Sequence, residues 1–309
     1  SLHLGDFEGN EDSPSIRDVE FLDSLTGWVV MDRYYNYGEH SFILKTLDGG
    51  ITWTSQYQSY TTSLKKLFFL DQDHGWASGN YGFVMKTDDG GENWEVIQEE
   101  SSDVEYITEI HFNNLLDGYM VRDYAEFLVT HDGGYSWELS GTFSGMAEDM
   151  VIIQDTIIWL LMNFSGLNIS KDGGTTWNNF PFPYNSNNVH SLFFLDEEEG
   201  WACGDGPSLW QTHDGGESWE HLYNGQYLES FNNVIFTDSL NGWLIGQYGS
   251  IMHGPGLYTE VRENSNRNNG NLTIYPNPAK SRIAISLPEL NHGETCSVDI
   301  FNVNGQKVI

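Results

Sequence analysis

Short apolar runs alternate with polar, glycine-containing turns along most of this chain, and no stretch shows the three-to-four-residue spacing of an amphipathic helix. One ordered pattern returns again and again. An apolar strand comes first: Val19–Asp23, Lys66–Asp71, Glu109–Phe112, Met150–Ile153, Ser191–Asp196 and Asn233–Phe236. A polar turn follows, then Gly27-Trp28, Gly75-Trp76, Gly118-Tyr119, Ile158-Trp159, Gly200-Trp201 or Gly242-Trp243. A second short turn leads to a third strand that runs into the octad [ST]-x-Asp-Gly-Gly-x-[STN]-Trp, whose Trp opens a fourth.

The octad occurs five times, at 46–53, 87–94, 130–137, 170–177 and 212–219. Its tryptophans, Trp53, Trp94, Trp137, Trp177 and Trp219, set a period of about 42 residues, in the range of solenoids, propellers and arrays. An Asp followed by Gly-Gly between apolar runs predicts a tight turn. The carboxylates Asp48, Asp89, Asp132, Asp172 and Asp214 accept backbone N–H groups just ahead of them, and the glycines supply the positive-φ positions. The preceding Ser or Thr can tie its hydroxyl to the same turn, and each Trp covers the hairpin and needs a partner for its indole N–H. A residue that caps every hairpin is structural, because a catalytic carboxylate is needed once.

Four short strands per unit predict an all-β fold with one propeller blade per repeat. Six first-and-second strand pairs are visible, so a six-bladed β-propeller is expected, with a seventh blade if the chain is truncated at its N-terminus. The sixth unit has a third strand (Ser250–His253) but no octad; either Leu257–Arg262 or Leu2–Leu4 would complete it. The octad resembles the Asp-box of sialidases and related propellers. The whole repeat, over roughly residues 16–262, resembles propellers of the photosystem II assembly-factor type. That resemblance implies a fold far more strongly than an activity.

Residues 263–271 form a polar, Asn-rich linker. After it come Tyr275-Pro276-Asn277-Pro278, the strand Arg282–Leu287, and Val298–Val303 leading to Asn304-Gly305. This stretch reads as a partial β-sandwich. It resembles the type A C-terminal sorting domain of the type IX secretion system of Bacteroidota, which continues for another hairpin or so beyond Ile309. The expected division is a propeller over 1–262, a linker over 263–271 and a partial sorting domain over 272–309. The resemblance implies export through the type IX machinery, followed by release or surface attachment.

Composition narrows the partners. Thirteen basic residues stand against 45 acidic ones, a net charge of −32, and residues 1–261 hold 41 of the acids with only eight bases. Nucleic acid is excluded as a partner, since Lys and Arg are what displace phosphate counterions. Cys203 and Cys296 fall in different expected domains, so no disulfide framework is expected. No run is apolar enough to span a membrane. The opening Ser1-Leu2-His3-Leu4 lacks a signal peptide's basic start and long apolar stretch, so a mature or truncated form is expected. A monomer without cofactor or metal is expected, because no His-x-x-x-His, Cys-x-x-Cys, phosphate-loop or dinucleotide motif occurs.

In a four-stranded blade the octads share one face of the disc, leaving the second-to-third turns and the blade links for the other. Binding residues lie on variable loops held by a rigid scaffold, so this loop face is the candidate site. Its turns carry Arg33, Tyr35, Tyr37, Tyr81, Arg122, Tyr124, Phe164, Asp205 and Tyr248. Tyr81, Tyr124, Phe164 and Tyr248 fall at matching positions. The blade links add Tyr57, Tyr60, Tyr106, Phe143, Phe182, Tyr184, Tyr223 and Tyr227. Such rings either pack between blades or form rigid plates for a glycan or peptide.

The sialidase-like enzyme reading has little to rest on. The propeller holds only Arg17, Arg33 and Arg122, and Arg17 is followed by Asp18-Val19, not Ile-Pro. A glycosidase needs two carboxylates about 5–10 Å apart; loop-face candidates are Asp32, Asp103, Glu105, Asp123, Glu126, Glu148, Asp149, Asp205 and Glu229. The expectation is a secreted or cell-surface binding propeller without catalysis, the alternatives being a glycoside hydrolase and an assembly scaffold.

Overall fold

The computed structural model describes residues 15–35, 38–101, 106–122, 125–163, 166–182, 189–206, 208–222, 230–238, 241–246, 251–253, 273–275 and 284–286. The fold is an all-β propeller. The first blade orders β1 (Ser15–Phe21), β2 (Gly27–Tyr35), β3 (Gly38–Thr46) and β4 (Thr54–Ser59) as an antiparallel meander. The second repeats it with β5 (Leu64–Phe69), β6 (Gly75–Gly79), β7 (Val84–Thr87) and β8 (Glu95–Gln98). The third has β9 (Ile107–Phe112), β10 (Gly118–Arg122), β11 (Glu126–Thr130) and β12 (Glu138–Thr142). The fourth has β13 (Ala147–Ile153), β14 (Ile157–Met162), β15 (Gly166–Ser170) and β16 (Asn178–Phe180).

In the fifth, β17 (Val189–Phe194), β18 (Gly200–Gly204), β19 (Ser208–Thr212) and β20 (Glu220–His221) follow the same order. A sixth sheet holds β21 (Phe231–Asp238), β22 (Asn241–Gly246) and β23 (Ile251–His253). The segments expected to complete it, 2–4 or 257–262, lie outside the described residues, as does the linker. Within the tail, β24 (Thr273–Tyr275) pairs with β25 (Ala284–Ser286). Among the described residues no helix is long and apolar enough to cross a membrane.

The Gly-Trp signature has a packing cause. Gly75 pairs with Phe69 across the first and second strands, and the Phe69 ring lies over it so closely that a Cβ would sit 2.5 Å from the ring. Phe194 lies over Gly200 in the same way. The two residues come and go together: the fourth blade, with Ile158 in place of the glycine, pairs it with Ile152 instead of a phenylalanine. The adjacent tryptophan points the other way, into the next blade. Trp28 stacks on Phe69 at 3.7 Å, Trp76 on Phe112 at 3.7 Å, Trp159 on Phe194 at 3.9 Å and Trp201 on Phe236 at 3.8 Å.

Five hydrophobic cores therefore lie between consecutive blades, each packing the second and third strands of one against the facing side of the next. Cys203 is a free thiol filling one of them. The matching face of the first blade buries Val29, Met31, Phe42 and Leu44 beside Trp53, but leaves Ile16, Val19 and Phe21 exposed.

Candidate functional site

The octads build one face of the disc, and their geometry accounts for every position. In the third blade the Thr130 hydroxyl donates to Asp132 Oδ1 at 2.9 Å and accepts the Gly134 N–H at 3.0 Å. Asp132 accepts the Ser136 N–H at 2.9 Å and its hydroxyl at 2.6 Å, and Trp137 donates its indole N–H to the Gly134 carbonyl at 3.0 Å. The other four repeat the carboxylate pattern around Asp48, Asp89, Asp172 and Asp214. The Trp53, Trp177 and Trp219 indoles are held as Trp137 is, whereas Trp94 leaves its N–H buried without a partner. The Thr52 hydroxyl and backbone hold the Asp48 carboxyl down at about 2. Carboxylates spent this fully on their own hairpins have no spare valence for catalysis.

The opposite face carries the variable turns. Tyr81 opens the second-to-third turn of the second blade at φ 58°, in the left-handed region, with its side chain 51% exposed. Its carbonyl accepts the Ser101 N–H at 2.7 Å, which ties the turn to the blade link. In the fifth blade the same position is Gly206, φ 65°. Arg122 donates from Nε to Glu126 Oε2 at 2.6 Å, across the turn that holds Tyr124. Arg33 lies half-buried beside Asp32. Tyr37, Tyr124, Phe164 and Tyr248 lie outside the described residues, and Tyr35 is described only as the last residue of β2.

The aromatic blade links divide. Phe143 packs edge-on against Trp177 and Phe182 stacks on Trp219, both at 5.0 Å, so these rings belong to the blades. Tyr57 packs against the core between the first two blades. Tyr60 stays exposed, edge-on to His40 at 4.7 Å. Tyr184, Tyr223 and Tyr227 are outside the described residues.

Of the candidate acids, Asp103, Glu105, Asp123 and Glu229 are outside them as well. Asp32 is 3% exposed and accepts Arg17 Nε at 2.7 Å, Lys65 Nζ at 3.1 Å and the Ser41 hydroxyl. Glu148 and Asp205 are drawn together by an imidazole: His190 Nε2 lies 3.0 Å from Asp205 and Nδ1 lies 3.7 Å from Glu148. Asp149 sits on the first strand of the fourth blade, opposite Leu161 of β14. It accepts the Leu192 N–H of the next blade at 2.7 Å, capping the edge of β17 that has no neighbouring strand in its sheet.

Asp149 belongs to a set that appears once the first strands are aligned by register. Asp18, Lys66, Glu109, Asp149, Ser191 and Asn233 share one level of the ladder. Asp18 accepts the Leu67 N–H at 3.0 Å, Glu20 accepts the Phe69 N–H at 2.8 Å, and Lys66 pairs with Glu109 at 2.9 Å. Burial pushes Glu20 up to about 8 and Glu109 up to about 7. Burial also raises Asp18 and Asp149, and it brings His111 down to about 4. For Lys66 burial acts downward, but Glu109 and Asp18 outweigh it and hold the ammonium above the ordinary lysine value. Periodicity alone passes over these residues, because each interrupts an apolar strand once; only alignment of successive first strands brings them into one column.

The profile of the family described as photosynthesis system II assembly factor YCF48 matches residues 9–102 and 143–254. That described as secretion system C-terminal sorting domain matches residues 273–309. No curated protein matches the chain in sequence. Among solved structures it is similar to YCF48 from Cyanidioschyzon merolae, with a TM-score of 0.59 at 16% identity over 80% of this chain and 96% of that one. A YCF48 bound to a D1 peptide gives 0.58 at 18% identity, over 80% and 96%. The GH74 enzyme of Niastella koreensis gives 0.58 at 14%, over 74% of this chain and 43% of that one. At these identities the likeness is one of fold.

Proposed function

Since this chain belongs to the family of the photosystem II assembly factor YCF48, we propose that it is an exported propeller that binds a peptide segment of a partner protein through its loop face. The observation that carries the reading is Tyr81. A non-glycine residue persists at positive φ only where its surroundings over-determine it, and such residues gather at ligand sites. Its side chain is half exposed, next to Asn80 in the same turn. A rigid ring with a polar tip suits a peptide, and a family relative solved with a bound peptide supports that class of ligand over a glycan.

The site would comprise Arg33, Tyr35, Tyr37, Tyr81, Arg122, Tyr124, Phe164, Asp205 and Tyr248. The sorting tail supports the three-part division 1–262, 263–271 and 272–309, with delivery by the type IX machinery to the cell surface or medium. The partner is therefore expected among exported or outer-surface proteins, not in a photosystem.

Binding of the full chain to an array of surface-protein peptides tests this. The Tyr81→Ala/Tyr124→Ala/Tyr248→Ala variant is expected to lose at least tenfold in affinity for any peptide captured. An unchanged affinity rules the loop face out. A second reading, glycoside hydrolysis, rests on the Glu148–His190–Asp205 arrangement, which brings two carboxylates onto one ring. It requires turnover of a chromogenic glycoside that Glu148→Gln or Asp205→Asn abolishes; absence of turnover across a glycoside panel removes it.

A further inference from the structure

The first strands of consecutive blades pack against one another, β1 on β5, β5 on β9, β9 on β13, β13 on β17 and β17 on β21. At one level they carry Asp18, Lys66, Glu109, Asp149, Ser191 and Asn233. Glu20, two residues beyond Asp18 on the same strand, faces the same way. Four carboxylates therefore stand together with a single ammonium. The cations next to this level in sequence, Arg17 and Lys65, are engaged by Asp32 at 2.7 and 3.1 Å. His111 adds no charge above about pH 4, because burial against Phe68, ring centroids 4.6 Å apart, brings it down to that value.

Each of these groups acts between blades. Asp18 accepts the Leu67 N–H at 3.0 Å, Glu20 the Phe69 N–H at 2.8 Å and Asp149 the Leu192 N–H at 2.7 Å. In every case a side chain of one blade caps the edge of the next blade's first strand, which has no neighbour in its own sheet. Lys66 joins the second blade to the third through Glu109 at 2.9 Å. Its ammonium is also attracted by Asp18 of the first blade and Asp149 of the fourth. The other groups at this level are uncharged. The Ser191 hydroxyl helps to hold Asp149, Asn233 is an amide, and the nearby Cys203 thiol is pushed up by burial and by Asp149.

We propose that these first-strand charges form a pH-dependent clasp between the blades, with Lys66 as its keystone. When the carboxylates hold protons the inner strands meet without repulsion. As pH rises they ionise, and one ammonium shared by three blades is what offsets their mutual repulsion. The sign follows from the carboxyls. Glu20 and Glu109, raised to about 8 and about 7 from an ordinary 4.5, bind protons more tightly folded than unfolded. Their contribution is fully present below about pH 4.5 and is lost as pH rises through 7 and 8. Removing the ammonium makes that loss steeper, because Glu109, Asp18 and Asp149 then ionise with no counter-charge.

The test is a melting series of the full chain between pH 5 and pH 9 for the parent, Lys66→Met and Lys66→Arg. Lys66→Met is expected to melt with the parent at pH 5 and at least about 5 °C below it at pH 9. High salt should recover part of that loss, since it screens the repulsion. Lys66→Arg keeps the charge and should follow the parent throughout. Hydrogen exchange locates the effect. In Lys66→Met at pH 9 the amides of Leu67, Phe69 and Leu192 should lose protection relative to Gly134, whose N–H is held within its own hairpin by Thr130.

A Lys66→Met chain that folds at pH 5 but not at pH 9 is the expected result in its strongest form. An equal loss at both ends of the range, or failure to fold even at pH 5, would mark Lys66 as packing only and overturn the proposal. So would an unchanged melting temperature at pH 9, or a Lys66→Arg variant that behaves like Lys66→Met. None of these measurements involves a ligand, so their outcome is independent of the peptide reading of the loop face.

Discussion

Tyr81 keeps a backbone conformation that costs a residue with a Cβ about 1–2 kcal/mol, while half its side chain remains in water. Glycine would relieve that strain but lose about 0.5–1 kcal/mol more chain entropy on folding. Tyr81→Gly should therefore leave the melting temperature unchanged or slightly raised while weakening peptide capture, which calorimetry and a binding titration on one preparation would check. A stability loss together with unaltered binding would mark the ring as packing only. Thr130 makes the opposite case. Its buried hydroxyl serves Asp132 and the Gly134 N–H at once. Thr130→Val keeps the shape and strands a buried donor, so denaturant unfolding should show a loss of about 1–3 kcal/mol.

The first strands carry the protein's pH response, because they put charge where an apolar strand would be expected. Glu20, raised by burial to about 8 against an ordinary 4.5, binds its proton more tightly folded than unfolded. Its contribution to stability is fully present below about pH 4.5 and is lost as pH rises through 8. Glu20→Gln should consequently raise the melting temperature at pH 9 relative to the parent and change it little at pH 5. A melting series across that range is the check, and equal shifts at both ends would show that burial is not the cause. The octad carboxylates act in the other direction. Asp48, held at about 2, supports the fold above its ordinary 3.8 and loses that support only as pH falls towards 2. Sequence alignment of the octads makes the second effect legible in advance. The first needs the register between blades, which places Lys66, Glu109 and Asp149 at one level.

For the whole molecule, the proposed division into propeller and tail makes a separate prediction. A chain ending at residue 262 should keep the propeller's melting transition and its peptide binding, yet remain unexported when expressed in a type IX-competent host. Fractionation of cells and medium would show this; export of the shortened chain would contradict the role given to residues 273–309.

The repeat, the all-β class, the turn chemistry of each octad and the identity of the tail are all local properties. They could be read from the chain because hydrogen bonds between residues two to four apart, such as Thr46, Asp48, Gly50 and Thr52, are written into adjacent letters. What only the folded molecule decided are contacts between blades about 42 residues apart. Among these are the stacking of Trp28 on Phe69, the His190 imidazole beside Glu148, and the ion pair of Lys66 with Glu109. The joint beside Tyr119 is of the same kind: tyrosine for tryptophan looks conservative in the repeat, and matters only because the indole it replaces donates to the next blade at the sister joints.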